Sequence, residues 1–440
     1  MPGRVFLLLL LATVTSWSQV TPSATGGGTP TQMMTPPPVS GIGFPTAVGA
    51  EVRSNYLRAG MSFNTSYVDH LYAGDGSASD SEEMFSVRPT ISFDTTSGRQ
   101  HATVAYSPGF TFYRPSSALN EVDNNGAVNY SLRLTPHATL SAADQFTDSS
   151  STFNSTDAGI GGGISGSTEP STPGAIPPFA KRLQNSADGE FTMQTGMNVM
   201  IGGSGMETVL HYPSSAETPG LYNSSSLGGS VFYNRRLSIK RYFGVTFQYQ
   251  DMQAHPANGV STTHTEAING FYTFYAGPNL SFSISGGPQH YSVDQAPLAA
   301  SDSWGPSVSG SVGWQGTHTS LAVSYSQSVT GGGGLLGAYH NKSAQVNARW
   351  QMSRAWTTGI SGSYFLNESV TPQALTGTEN NHSLSGSAAV DRALGEQFYL
   401  GFSYDRVHQS YGDVLALSSN PNSDRVTVSI SWQFARPLGR

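Results

Sequence analysis

Cysteine is absent from the chain, so no disulfide framework and no thiolate metal site is available to it. Charge is scarce: 11% of the 440 residues are Asp, Glu, Lys or Arg, and the formal net charge of −7 gives no general affinity for nucleic acid. Long hydrophobic runs are also missing. Beyond the N-terminus no apolar stretch approaches the roughly 20 residues that a membrane helix requires, and the mean hydropathy is −0.25. These absences exclude a helical membrane protein but not a membrane-spanning β-barrel, whose lumen face is polar and whose signal per strand is weak.

What the chain does contain is a repeated alternation. Roughly eighteen times between Asn55 and Phe434, about ten residues alternate apolar and polar before a turn. The final run shows it plainly: Val426, Val428, Ile430, Trp432 and Phe434 share one face, and Arg425, Thr427, Ser429, Ser431 and Gln433 the other. Successive side chains of a strand point to opposite faces, so each run is a two-faced strand. The connections alternate tight and long. Thr96-Ser97-Gly98, Gly277-Pro278 and Met352-Ser353-Arg354 are tight, whereas Leu71 to Glu83 and Asp148 to Ser186 are long. That rhythm distinguishes a transmembrane antiparallel up-and-down β-barrel from a soluble sandwich, with the short turns periplasmic. The count is eighteen to within two strands, so sixteen stays open. Because an unpaired backbone group in lipid costs several kcal/mol, the first strand must pair with the last.

The ends divide accordingly. Residues 1–18 read as a secretory signal, with Arg4 as the n-region, Val5 to Val14 as the apolar h-region, and Ser16-Trp17-Ser18 as the cleavage site. Residues 19–54, rich in Pro, Gly and Thr, read as a flexible periplasmic segment that cannot bury a core. Residues 55–434 form the barrel, and 435–440 a short tail. Trp314, Trp350, Trp356 and Trp432 fall on the apolar face beside short turns or the C-terminus, and Trp304 at the other rim. Together they form an aromatic belt at headgroup level. Arg99, Arg236, Lys240, Arg241, Arg354 and Arg392 cluster at short turns. Asp75, Asp80, Glu82, Glu83, Glu121 and Asp123 are assigned to the first two long loops, and the apolar faces look nearly free of charge at mid-strand.

In strand rhythm, aromatic belts and a final strand ending in an aromatic, the chain resembles bacterial outer-membrane porins, in particular the β-barrel porin families of Gram-negative bacteria. The resemblance implies a bacterial outer-membrane location and surrounding outer-membrane lipid. It implies recognition by the barrel-assembly machinery through Phe434, passive diffusion of small hydrophilic solutes, and assembly as a homo-oligomer. The family pattern places the aromatic last; here Ala435 to Arg440 follow it.

About eighteen strands enclose room for an aqueous channel. Arg58, Arg88, Arg133 and Arg349 alternate with small polar residues on the inward face, as would Asp94 and Asp391, making these six the pore-lining candidates. A basic ladder would favour anionic or polyhydroxylated solutes; pairing with the acids would neutralise it. Inward Tyr242, Tyr291 and Tyr399 would stack on sugar rings or simply fill space. The 148–186 loop would either fold inward as a constriction or remain outside. Enzymatic chemistry finds no support: the histidines show no metal spacing, no Gly-x-Ser-x-Gly elbow stands in a strand-to-helix context, and Gly331 to Gly334 precede no helix. No cofactor is implied. The remaining readings are an export or secretion component docked through the Pro-rich segment, a structural barrel with no open pore, and a soluble lectin-like β protein.

Overall fold

The computed structural model describes residues 55–71, 79–150, 181–213, 220–256, 259–277, 279–295, 300–331, 335–370, 381–395, 397–410 and 422–437. They form eighteen strands: β1 (Asn55–Leu71), β2 (Ser79–Ser97), β3 (Gln100–Arg114), β4 (Glu121–Thr135), β5 (Ala138–Ser149) and β6 (Arg182–Gly196). These are followed by β7 (Val199–His211), β8 (Asn223–Ser238), β9 (Arg241–His255), β10 (Ser261–Tyr275), β11 (Leu280–Gln295) and β12 (Ser301–Gln315). The series ends with β13 (Thr319–Gly331), β14 (Ala338–Gln351), β15 (Trp356–Ser369), β16 (Asn381–Ala393), β17 (Phe398–Ser410) and β18 (Asn422–Pro437). Each strand pairs antiparallel with its sequence neighbours, and β1 pairs with β18 from Tyr56↔Pro437 to Asp69↔Asp424, which closes the ring. The turns after the even-numbered strands span two to four residues; the connections at the other end span five to thirty-two.

Burial follows strand parity, inverted relative to a water-soluble protein. On β18, Val428 is 47% exposed and its neighbour Ser429 only 1%. The same split runs round the wall. Phe63, Ile91, Phe112, Val231, Ile284, Ile360 and Phe402 are exposed on the outside, while Ser66, Thr111, Ser226, Thr265, Ser363 and Ser403 are buried on the inside. An exterior of this kind is stable only against lipid. Hydroxyl pairs stitch adjacent strands on the inner face, among them Ser66–Thr427 at 2.8 Å, Ser285–Ser309 at 3.0 Å and Ser326–Ser343 at 2.6 Å.

The strands are longer than the alternation of about ten residues indicates. A strand of fifteen residues such as β9, tilted about 40°, rises ~38 Å, against an apolar band of about 25 Å. The excess lies at the long-loop end and corrects three sequence-based readings. Glu82 and Glu83 belong to β2, and Glu121 and Asp123 to β4, rather than to loops; Glu82 and Asp123 are buried on the inner face. Asp144, Glu207, Asp251 and Glu266 face outward, so the outer faces carry charge toward that end, where Asn185 bonds Asp144 at 2.9 Å and His264 meets Asp251 at 3.2 Å. At the C-terminus β18 runs on through Ala435 and Arg436 to Pro437, so the wall does not stop at Phe434.

Candidate functional site: the lumen wall and its strap

Three zones of the inner wall differ in chemistry. At the short-turn end of β7 to β10, Met200, Phe232, Tyr242 and Phe271 form a buried apolar cluster, with Tyr275 against it and the Tyr242 and Tyr275 rings edge to face at 5.8 Å. Glycine makes this packing feasible. A Cβ on Gly202 would run into the Phe232 ring, and one on Gly244 into the Phe271 ring, each also meeting a backbone oxygen of the adjoining strand. The rings thus lie flat across bare backbone on the neighbouring strand, a known way of pinning register. Tyr242 is therefore a wall-filling residue.

The second zone is charged. On β17 and β18, Arg425 donates from Nε (3.1 Å) and Nη2 (2.9 Å) to Asp405 Oδ2, both side chains being 5% exposed. Across β1, Arg88 donates from Nη2 to Asp123 Oδ2 at 3.4 Å. Nearer the long-loop end, Tyr113 donates to Glu121 at 3.2 Å, and Glu82 accepts from the Ser116 hydroxyl at 2.5 Å. Arg425 and Arg88 offset Asp405 and Asp123, while Glu121 and Glu82 are held by hydroxyl donors. Asp188 and Glu190, inward on β6, have no ion-pair partner among the described residues.

The third zone arises where the wall departs from ideal pairing. The β11–β12 ladder extends to Val293↔Ser301 and the β13–β14 ladder to Gly331↔Ala338, but the β12–β13 ladder stops at Val308↔Gln327. Above that rung β13 leaves the wall and moves inward. Its Val329 and the adjoining Ala338, together with Val370, pack against the inward side chains Tyr291 and Val293 of β11. The His340 ring of β14 meets the Tyr291 ring at 5.9 Å. The tip then crosses toward β7–β10. The Gly331 N–H reaches Met252 Sδ of β9 at 3.0 Å, and Leu335 packs with Leu210, Tyr212, Leu221 and Tyr339. The described residues flanking the β13–β14 turn, 328–331 and 335–339, thus form a strap drawn as a chord across the lumen at its long-loop end. A slot lined by Gln184, Thr208, Ser224, Ser226, Thr263 and Gly331 lies between strap and wall.

The predicted pore-lining residues are all on the inner face but do not form a continuous ladder. Arg58, Arg133 and Arg349 lie toward the short-turn end on β1, β4 and β14, and Arg88 lies midway along β2. Arg58 sits over the Tyr56 ring at 5.9 Å, Asp94 meets His101 at 3.1 Å, and Asp391 stands two strands from Arg349 across Gly359 and Thr357. Tyr291 supports the strap, and Tyr399 is inward at the foot of β17. Trp314, Trp350, Trp356 and Trp432 are exposed outside near the short turns, with Arg392 over Trp356 at 5.2 Å; Trp304, 68% exposed, is at the opposite end. Phe434 is outward beside Trp432, their rings stacked at 6.2 Å. Residues 151–180, most of the loop that would either fold inward as a constriction or remain outside, lie outside the described residues. The strap was not anticipated: its sequence traces are Pro306 on β12 and the glycines from Gly331, neither of which reveals direction without the register.

No protein-family model and no curated protein matches the sequence. Among solved structures, OpdK of Pseudomonas aeruginosa, solved with vanillate, is 10% identical with a TM-score of 0.42, covering 86% of this chain and 99% of its own. OccK2 (OpdF) of the same organism, in complex with glucuronate, is 10% identical with a TM-score of 0.42, over 86% and 98%. A BenF-like porin from Pseudomonas fluorescens Pf-5 is 12% identical with a TM-score of 0.44, over 86% and 99%. At such values these likenesses carry no argument about the role of this chain.

Proposed function

We propose that this barrel is an outer-membrane channel of a Gram-negative bacterium, through which small hydrophilic solutes diffuse passively past the strap. The observation that carries this reading is the closed wall with an apolar exterior and an inner face of Ser, Thr, Asn and Gln. An aqueous path needs such a lining, and a structural barrel does not. Selectivity is by size at the strap and by the lumen charges; no covalent step is involved. The N-terminal signal would deliver the chain across the inner membrane, and Phe434 on the outer face of β18 would be read by the assembly machinery.

The test is single-channel recording of the refolded protein in a planar bilayer. Discrete steps in the nanosiemens range support the channel. A correctly folded, heat-modifiable barrel with no steps would overturn it in favour of a plugged export component or a structural barrel.

A further inference from the structure

Resting on the channel reading, we infer that Gln289 is the positioning residue that holds the strap inside the lumen, and thereby sets the largest solute that passes. Gln289 projects inward from β11 and is buried. Its Nε2 donates to the Val329 carbonyl at 2.7 Å, and its Oε1 accepts from the Val329 N–H at 2.8 Å. One primary amide thus reproduces both hydrogen bonds of a ladder rung at the residue where β13 has left the wall.

The vacated position explains why a side chain does this work. Continuing the β12–β13 register beyond Val308↔Gln327 would set Val329 opposite Pro306, which has no N–H to give. In the wall, the Val329 carbonyl would face a strand with no donor at that rung; in the lumen, Gln289 satisfies both groups. Buried backbone groups must find partners somewhere. The Gln289 amide therefore favours the inward course, while Val329, Ala338 and Leu335 supply the apolar contacts that seat it. The edge of β12 from Ser301 to Ser307 is the alternative seat for β13 once the clasp is lost.

The absence of cysteine allows a direct test. A Cβ on Gly331 would stand 3.0 Å from Met252 Cβ, about 0.8 Å inside the usual disulfide separation of about 3.8 Å, so the pair closes once the strap backs off by that much. G331C/M252C should oxidise readily in the folded barrel, fixing the strap to β9; failure to cross-link would overturn the strap's placement whether or not the barrel conducts. In planar bilayers Q289L should raise conductance about twofold and enlarge the polyethylene glycols that enter, because a chord is removed from the cross-section. Oxidised G331C/M252C in the Q289L background should restore the wild-type exclusion limit, and reduction should reverse this. Gln289→Glu keeps the acceptor and loses the donor; it should give a smaller increase, and it replaces Q289L if that variant does not refold. Unchanged exclusion limits in a conducting Q289L or Gln289→Glu channel would overturn the inference. Absence of conductance in every variant would instead overturn the channel reading.

Discussion

Gly244→Ala should unfold this barrel more readily than its size suggests. Gly244 of β9 lies opposite Phe271 of β10, and the added methyl would enter both the Phe271 ring and the Tyr233 carbonyl of β8. The carbonyl belongs to a strand ladder and cannot retreat, so the ring must. Overpacking by one methyl costs about 1–3 kcal/mol, and lifting Phe271 off its platform forfeits a further share of the roughly 1.5–3 kcal/mol that its burial contributes. We expect ~3 kcal/mol in all. Phe271→Ala alone should cost about 3–5 kcal/mol. In the double variant the ring clash is gone but the carbonyl clash stays, so the two losses should fall short of additivity by about 1–2 kcal/mol. Urea titration, read by heat-modifiable mobility on gels, measures each. Gly126→Ala is the control, since its Cβ meets nothing within 4 Å. A Gly244→Ala midpoint equal to that of Gly126→Ala would refute the argument and mean that the rings do not lie across bare backbone.

Three other outcomes follow from the wall. Arg425→Leu should destabilise by about 3–5 kcal/mol because it strands a buried Asp405, while Arg425→Leu with Asp405→Leu should recover most of that in the same titration; equal losses would show the pair is not desolvated. Asp188→Asn with Glu190→Gln should shift the reversal potential in a salt gradient toward anions, because no described base offsets those carboxylates; an unchanged potential would place them off the path of ions. Val428→Arg, on the lipid side, should cost about 2–4 kcal/mol in liposome-folded protein, and a negligible change would place that position above the membrane.

The number of strands to within two, their order and the face each residue takes were legible because lipid imposes a two-residue period and all-antiparallel closure imposes an even count. Ends were less so: nothing in the alternation distinguishes a strand inside the bilayer from its continuation outside, and so Glu82 and Asp123 read as loop residues. Cross-wall partners were illegible for another reason. That Arg425 meets Asp405, or Arg88 meets Asp123, depends on a register that each turn sets locally and that a shift of two residues would change without disturbing either face. The strap was hidden most deeply, since Gln289 and Val329 lie forty positions apart and their bond exists only because a third strand, at Pro306, declines to make one.

Ring closure also governs when this protein can acquire its structure. Ser66 bonds Thr427 across 361 positions, and fourteen residues of β1, paired with β2 on one edge, find the partners of their other edge on β18. No partial chain can satisfy its first edge, and each truncated intermediate carries two sticky borders. Closure must therefore wait until β18 is available, and this far-separated pairing carries a larger loop-closure cost than the zipping of any hairpin.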